Sequence, residues 1–133
     1  YGCGSGILAI AACKLKAIQA LGVDTDPQAL LATTSNALNN QVENKITTCL
    51  PKDCPAQIVD LLMANILAGP LEELAPTLAT LVQPEGEIIL SGILDSQTKS
   101  LIQSYSPYFD MKLYKQQDEW ICLEGIRIFG DTD

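Results

Sequence analysis

Three glycines spaced two residues apart, Gly2, Gly4 and Gly6, run directly into an apolar, alanine-rich segment at residues 7–12. Glycines permit the positive φ of a sharp turn, and without a Cβ the backbone can lie flat against a ligand. The pattern predicts a strand-to-helix turn. A dinucleotide-binding loop would place its third glycine three residues after the second, where this chain has Ile7. The spacing argues against a dinucleotide, and a glycine turn without a ligand is the alternative on this pattern alone.

An acidic residue follows the next apolar run, residues 17–23, which reads as a buried parallel strand. In nucleotide-binding α/β folds, an acid about 20 residues past the glycines, at the tip of the second strand, accepts hydrogen bonds from ribose hydroxyls. Asp24 holds that place. Asp26 and Pro27 then begin a helix, because Asp26 can accept from the N–H groups of the first turn and Pro27 loses no hydrogen bond there. We therefore assign Asp24 to ligand contact and Asp26 to the helix cap.

The rest of the chain alternates strands and helices without a linker or repeat. Strands are predicted at residues 45–50, 58–64 and 87–91, with the middle one central because only Asp60 interrupts its apolar run. Helices are predicted at residues 27–38, at residues 69–81 and after a cap at Asp95 or Ser96. The first should place one set of side chains on one side, namely Leu30, Leu31, Thr34, Ala37 and Leu38. Pro84, Glu85 and Gly86 should form a turn before the strand at 87–91.

The final segment reads as a hairpin. Residues 109–116 and 119–129 are predicted strands, joined by a tight turn at Gln117 and Asp118. A hairpin after parallel strands indicates a mixed sheet.

Composition limits the class of protein. A chain of 133 residues can bury one core, and its net charge of −8 offers no evident basic surface for nucleic acid. A basic protein is the more natural partner, although solubility alone explains most of such a charge. The five cysteines show no CxxC spacing and there is no histidine, which predicts reduced thiols and no metal site. With no membrane-length apolar segment and no targeting signal, we expect a cytoplasmic protein.

Four segments carry a resemblance to a known family. They are GCGSGILAIAA at residues 2–12, GVDTDP at 22–27, ANILAGPL at 64–71 and LSGIL at 90–94. With the terminal hairpin, they resemble class I methyltransferases and, more closely, the bacterial family that methylates large-subunit ribosomal protein L11 (PrmA). The first two segments occur with variation in many methyltransferases, whereas the third and fourth are more specific. The resemblance covers nearly the whole chain.

The resemblance implies an α/β fold with a Rossmann-like class I methyltransferase sheet, mostly parallel and with a C-terminal antiparallel hairpin. It implies S-adenosylmethionine as the cofactor and a basic ribosomal protein as the substrate, methylated on its α-amine and lysine side chains, with no direct nucleic-acid or membrane partner. The cofactor-binding candidates are Gly2, Gly4, Gly6, Asp24, Thr25 and Asn65. Asn65 is also the candidate catalytic residue, because its amide oxygen or the adjacent carbonyl is suited to orienting the acceptor amine at the end of the predicted strand 58–64.

In the resembling family, the catalytic domain follows an N-terminal substrate-recognition domain, and the first strand of its sheet lies upstream of the glycines. We therefore expect residues 1–133 to be the cofactor-binding catalytic domain of a longer protein, truncated at its N-terminus. Loss of the first strand would leave two strand edges unpaired.

Three other functions share parts of this pattern. A nicotinamide-dependent oxidoreductase would share the fold and Asp24, but not the glycine spacing. A non-catalytic Rossmann-like binding module is the second, and a class I methyltransferase acting on a small molecule or a protein glutamine is the third. The Asn-Pro-Pro-Tyr pattern of glutamine and adenine methyltransferases is missing, since Ile66, Leu67 and Ala68 follow Asn65. This favours an aliphatic amine as the acceptor.

Overall fold

The computed structural model describes Gly6, Ile10, Cys13 and residues 19–53, 58–64 and 68–128. Within them the elements follow the order β1 (Ala20–Val23), α1 (Pro27–Asn39), β2 (Ile46–Cys49), β3 (Val59–Ala64), α2 (Ala68–Ala79), β4 (Val82–Leu94), α3 (Thr98–Tyr105), β5 (Phe109–Gln117) and β6 (Trp120–Arg127). Short 3-10 turns cover Pro51–Asp53 and Asp95–Gln97. The chain divides into two compact units, Tyr1–Pro55 and Ala56–Asp133, and the described strands form one sheet in each.

The first unit contains a parallel pair of strands and helix α1. Residues of β1 and β2 are paired from Ala20 with Ile46 to Val23 with Cys49, so both strands end at the same edge. The helix ends at Asn39, one residue past the predicted end, and the chain turns through Gln41 with φ of 62°. Small apolar side chains form the core, namely Ile10, Cys13, Ala37 and Val42, with Ala20 and Ile46 packed against them.

The buried face of α1 agrees with the predicted one at Ala37 and differs from it elsewhere. Thr33 and Ala37 are buried, whereas Leu31 and Leu38 are 65% and 61% exposed. A Cβ on Gly6 would lie only 2.7 Å from Cγ2 of Thr33. Because the glycine backbone approaches the helix so closely, α1 presents a small side chain there, and the larger leucines turn away.

The second unit contains a mixed sheet with the order β3-β4-β6-β5. Strands β3 and β4 are parallel, while β6 is antiparallel to both β4 and β5. The predicted hairpin and mixed sheet are confirmed, although Gln117 pairs with Trp120 and the turn therefore shifts to Asp118 and Glu119. Among the described strands β3 has one neighbour, β4, rather than the central place predicted for it, and Leu61 is 42% exposed.

Strand β4 is longer than predicted, because the expected turn at Pro84 and Gly86 lies inside it. The register against β3 jumps from Val59 opposite Val82 to Leu61 opposite Glu87. Glu85 lies in the segment where the register changes, and its φ is 70°. The predicted turn is thus an irregularity within a strand that continues on both sides.

The start of α3 also differs from the prediction. Asp95 and Ser96 lie in the 3-10 turn and do not cap the helix, which begins at Thr98. The Leu94 N–H instead donates to Oε1 of Gln97 at 2.9 Å. The glutamine side chain thus reaches back across the 3-10 turn, and Gln97, the residue before α3, makes no side-chain hydrogen bond that caps the helix.

Helices α2 and α3 supply the core of the second unit together with the sheet. Leu71, Leu78, Leu101 and Tyr105 are fully buried, as are four sheet residues, Ile88, Leu90, Ile93 and Leu123. The Tyr105 hydroxyl donates to the Leu71 carbonyl oxygen at 2.6 Å and so joins the two helices. Burial raises the pKa of Tyr105, which keeps the hydroxyl protonated as a donor.

Replacing Tyr105 by Phe should lower the free energy of unfolding by about 1–2 kcal/mol, because a buried hydrogen bond is lost while the ring still fills its site. Urea unfolding of the complete gene product measures the change. Tyr114→Phe is the matched control, since that side chain is 62% exposed and should give no shift. Equal stabilities for both variants would contradict a stabilising role for this bond.

Candidate functional site

Gly6 is the glycine of the N-terminal loop that the structure describes. Its φ is +85°, a value that L side chains rarely adopt, and its carbonyl oxygen accepts from the Ile10 N–H at 2.8 Å. Ile10 and Cys13 have helical backbone, so the predicted turn from the glycine loop into a helix is confirmed at Gly6. Gly2 and Gly4 lie outside the described residues.

The carboxyl end of β1 continues into α1 through a short chain of hydrogen bonds. Oδ1 of Asp24 accepts from the Asp26 N–H at 3.0 Å, and Oδ1 of Asp26 accepts from the Gln28 N–H at 2.9 Å. Pro27 is the first residue of the helix. The predicted cap at Asp26 is confirmed, and Asp24 lies where the sequence placed it, one residue past the strand.

Asp24 is half-buried, and Thr25 beside it is exposed. Sequence reasoning missed that Asp24 also orders the turn, because one of its oxygens accepts from the Asp26 N–H. The signal was present in the spacing, since Asp and Asn commonly accept from the backbone two residues on. A carboxylate fixed at the carboxyl end of a parallel strand is suited to accepting hydrogen bonds from ligand hydroxyls.

In the second unit, β3 ends at Ala64, which pairs with Leu90 of β4. The candidate Asn65 follows Ala64 in the chain and lies outside the described residues. On the neighbouring strand, Ser91 follows Leu90, and Gly92 has φ of +75°. The described part of this edge therefore consists of a serine and a glycine with positive φ, which sequence reasoning did not single out as primary site residues.

The described residues contain no cluster of His, Cys, Asp or Glu able to hold a metal ion, and no helix among them is long and apolar enough to cross a membrane. Cys13 and Cys122 are free thiols. Cys13 is buried, whereas Cys122 is half-buried, and burial together with the charge of Glu124 raises the pKa of Cys122. Cys122 thus offers no activated thiolate.

Comparison with known proteins gives a family match. The model of the family described as ribosomal protein L11 methyltransferase (PrmA) matches residues 1–127. A ribosomal protein L11 methyltransferase of Cellvibrio japonicus is 52% identical over 128 residues, which are 96% of this chain and 44% of that protein. One from Actinobacillus pleuropneumoniae is 49% identical with the same coverage. The chain therefore spans less than half the length of these relatives.

Solved structures give the same fold. A ribosomal protein L11 methylase from Lactobacillus delbrueckii subsp. bulgaricus has a TM-score of 0.88 and 35% identity, over 96% of this chain and 67% of that one. An RNA methyltransferase from Salinibacter ruber, in complex with S-adenosyl-L-homocysteine, has a TM-score of 0.78 at 13% identity, over 99% of this chain and 80% of that one. The second match shows the fold alone. Together they confirm the predicted Rossmann-like class I methyltransferase fold.

Gly6→Ala should destabilise the protein by about 1–3 kcal/mol, because alanine is strained at this φ and its Cβ would meet Thr33. Combining Gly6→Ala with Thr33→Ser removes the closest atom, Cγ2 of Thr33, and should restore part of the lost stability. The recovery is incomplete because the φ of residue 6 is still strained for alanine. The urea midpoint of each variant measures the effect.

Gly69→Ala is the control for this pair, because nothing lies within 4 Å of the added Cβ and alanine favours a helix. It should leave stability unchanged or raise it. A Gly6→Ala protein as stable as the Gly69→Ala protein would contradict the close approach of the loop to α1.

Proposed function

Because the chain belongs to the ribosomal protein L11 methyltransferase family, we propose that it is the cofactor-binding catalytic part of an enzyme that transfers methyl groups from S-adenosylmethionine to lysine side chains and the α-amine of that ribosomal protein. The observation that carries this proposal is the Asp24 carboxylate at the carboxyl end of β1, inside the matched residues. We place residues 1–133 in one catalytic domain.

The described residues of the first unit fit this cofactor. Asp24 offers a carboxylate to the hydroxyls of a ribose, and the turn that holds it is ordered by the capped start of α1. Gly6 brings backbone, rather than a side chain, against the second turn of α1. Gly2, Gly4 and Thr25 complete the proposed cofactor contacts, together with Asn65.

The bound cofactor supplies a methyl group on a sulfonium, which already carries a good leaving group. The protein must align the acceptor nitrogen with the methyl carbon and sulfur, exclude water and receive an uncharged amine. Methyl transfer from the bound cofactor would form the C–N bond from the nitrogen lone pair as the C–S bond breaks, with its electron pair left on sulfur. The residues of this chain would hold the amine in line and let its excess proton pass to solvent after the transfer. A lysine ammonium, with a pKa of about 10.4, has no lone pair to donate, so a neutral and partly desolvated site favours the reactive form.

Asn65 is the proposed orienting residue for the amine. Its amide oxygen can accept an N–H hydrogen bond without adding the negative charge that would favour the ammonium. Its place in the chain, directly after the last residue of β3, is that of ligand-binding residues in open parallel sheets.

The charge distribution supports a basic substrate. The second unit, Ala56–Asp133, contains twelve Asp and Glu residues against four Lys and Arg, whereas the first unit contains four of each. The whole net charge of −8 therefore lies in the unit that contains Asn65. A negative field of this kind attracts a basic protein and repels nucleic acid. We propose a ribosomal protein substrate engaged without direct contact to RNA, in the cytoplasm.

Asp24→Ala should weaken S-adenosylmethionine binding by roughly 1.5–3 kcal/mol, the scale for losing charge-assisted hydrogen bonds. Asp24→Asn separates the two roles of this residue, because an amide oxygen can still accept from the Asp26 N–H while the charge is lost. Its loss of affinity should be smaller. Calorimetric titration of the complete gene product gives both values.

Asp26→Ala is the control, since it removes the helix cap without touching the proposed ribose contact. It should lower the stability of the protein and leave cofactor affinity within about twofold. If Asp24→Ala binds the cofactor like the wild type while folded, Asp24 has no ribose role.

Asn65→Ala should reduce the single-turnover methylation rate on ribosomal protein L11 by roughly 10- to 100-fold at saturating cofactor, because the defect lies in alignment at the transition state. Asn65→Asp keeps an oxygen acceptor but adds a charge that raises the pKa of the bound amine. Its rate should therefore rise at higher pH than the wild-type rate. Full recovery of the Asn65→Ala rate at high cofactor concentration would make Asn65 a cofactor ligand only.

A further inference from the structure

Strand β6 carries apolar side chains on both faces of the sheet. Ile121 and Leu123 are buried in the core, whereas Trp120 and Ile126, on the alternate positions of the same strand, are 53% and 38% exposed. An antiparallel strand with one face in water is expected to place polar side chains on that face. Packing within this unit therefore does not explain an exposed tryptophan, which is the one tryptophan of the chain.

Trp120 lies at the end of the sheet where the parallel strands finish. A β-bulge at Ser91 and Gly92 makes three steps along β4 match two along β6, so that Leu94, the last residue of β4, pairs with Trp120. Strand β3 runs parallel to β4, so its carboxyl end points the same way. Ligands of open α/β sheets bind outside the carboxyl ends of the strands. The turn of the hairpin therefore stands at the ligand-binding end of this sheet.

The hairpin tip, defined as Asp118, Glu119 and Trp120, is held in place through its backbone. The Asp95 N–H donates to the Glu119 carbonyl oxygen at 2.8 Å, and Nε2 of Gln116 donates to the Asp118 carbonyl oxygen at 3.1 Å. Neither bond uses the two carboxylates of the tip. Both acids are exposed, and within the described part of the chain their carboxylates make no hydrogen bond or ion pair. The tip thus offers an ordered turn with an exposed indole beside two available charges.

The charges of the hairpin tip indicate the kind of partner that fits it. An aromatic face attracts a lysine or arginine cation, and a neighbouring carboxylate can pair with the same cation. The tip itself contains two carboxylates and no cation, and it belongs to the unit that carries the whole net charge of −8. The lysines of β5, Lys112 and Lys115, lie farther from the turn, beside the middle of β6. Charge complementarity therefore favours a basic partner.

The same charges disfavour two other occupants. A second copy would meet the hairpin tip through a two-fold symmetric contact that brings four like charges together. Nucleic acid would bring phosphates against the same carboxylates. A basic segment of a protein is the partner that gains from both the ring and the charges.

We propose that the hairpin tip is a docking surface for a lysine- or arginine-bearing segment of the protein substrate, with Trp120 as the apolar anchor and Asp118 and Glu119 as the charged contacts. The inference rests on the proposed function and names where the enzyme holds its substrate outside the reacting amine. Because the tip takes no part in methyl transfer, its loss weakens substrate binding and leaves the chemical step unchanged.

The test is steady-state methylation of ribosomal protein L11 by the complete gene product, with KM and kcat determined separately. Trp120→Ala should raise KM for the ribosomal protein roughly 10-fold, the scale of an aromatic anchor at an interface, with kcat and cofactor affinity unchanged. Trp120→Phe keeps an aromatic face and should raise KM less. Leu31→Ala, which removes a 65% exposed apolar side chain from the first unit, is the matched control and should leave KM unchanged.

A charge-neutral tip tests the electrostatic part. Asp118→Asn combined with Glu119→Gln should raise KM roughly 3- to 10-fold at low ionic strength, and the difference should shrink at about 0.3 M salt because exposed charges are screened. Asparagine tolerates the φ of 56° at residue 118. Glu85→Gln combined with Glu87→Gln removes the same charge from the opposite end of β4 and should leave KM unchanged.

The outcomes separate this inference from the proposed function. A wild-type protein that binds the cofactor but never methylates ribosomal protein L11 overturns the proposed function, and this inference with it. An active wild type whose Trp120→Ala variant has the KM of Leu31→Ala, or loses kcat instead, overturns the docking surface alone. A lower urea midpoint in Trp120→Ala, or a wild-type dimer that this variant abolishes in sedimentation, also overturns it, because the ring is then covered by the protein itself or by a second copy.

Discussion

Parallel pairing of neighbouring strands is the constraint from which the proposed chemistry follows. Strands that run in the same direction end at the same edge, and their ends leave polar backbone and the following side chains exposed there. In the sheet of the first unit this edge carries Asp24 after β1, and the sheet of the second unit has its own edge, which carries Ser91 beside the end of β3. The antiparallel strand β6 then holds β4 beyond the point where β3 ends. That extension is what places a bulge at the edge.

The parts that stabilise the units are separate from the parts assigned to chemistry. Arg127 donates from Nε to the Ala79 carbonyl at the end of α2, at 3.0 Å, and from Nη1 to the Tyr108 and Ile128 carbonyls at 3.1 and 3.0 Å. Its guanidinium also lies 5.9 Å from the centre of the Phe109 ring. These contacts, with the buried Tyr105 hydroxyl, fix α2 and α3 on the covered face of the sheet. The residues at the carboxyl ends of the strands are not part of these contacts. Asp24 nevertheless has a structural role as well as a proposed one, because it orders its turn and is proposed to bind ribose.

Much of the fold was predictable because it follows from local rules. Apolar runs located the strands, the Asp-Pro pair located the start of α1, and the two strand segments on either side of the turn near Asp118 located the hairpin. The errors occurred where a distant contact overrides a local pattern. Gly6 forces Thr33 inward and the leucines of α1 outward, which helical periodicity alone cannot reveal.

The candidate site was predictable to the extent that it depends on the position of a residue relative to a strand end. Asp24 and Asp26 were placed correctly because both follow directly from the end of β1. The start of α3 was placed too early because a 3-10 turn, in which Gln97 accepts from the Leu94 N–H, has no strong sequence signal. The bulge at Ser91 was missed for a related reason, since register against β6 depends on residues about thirty positions away. The contacts of Gly2, Gly4 and Asn65 stay predictions.

Amide hydrogen exchange of the complete gene product, with and without S-adenosylhomocysteine, tests most directly whether the cofactor is bound by residues at the carboxyl ends of β1 and β3. We predict slower exchange in the peptide that contains residues 23–26 and at the end of β3, with no change at residues 83–86, which lie at the opposite end of β4. Protection centred on residues 83–86, with unchanged exchange at residues 23–26, would contradict the account.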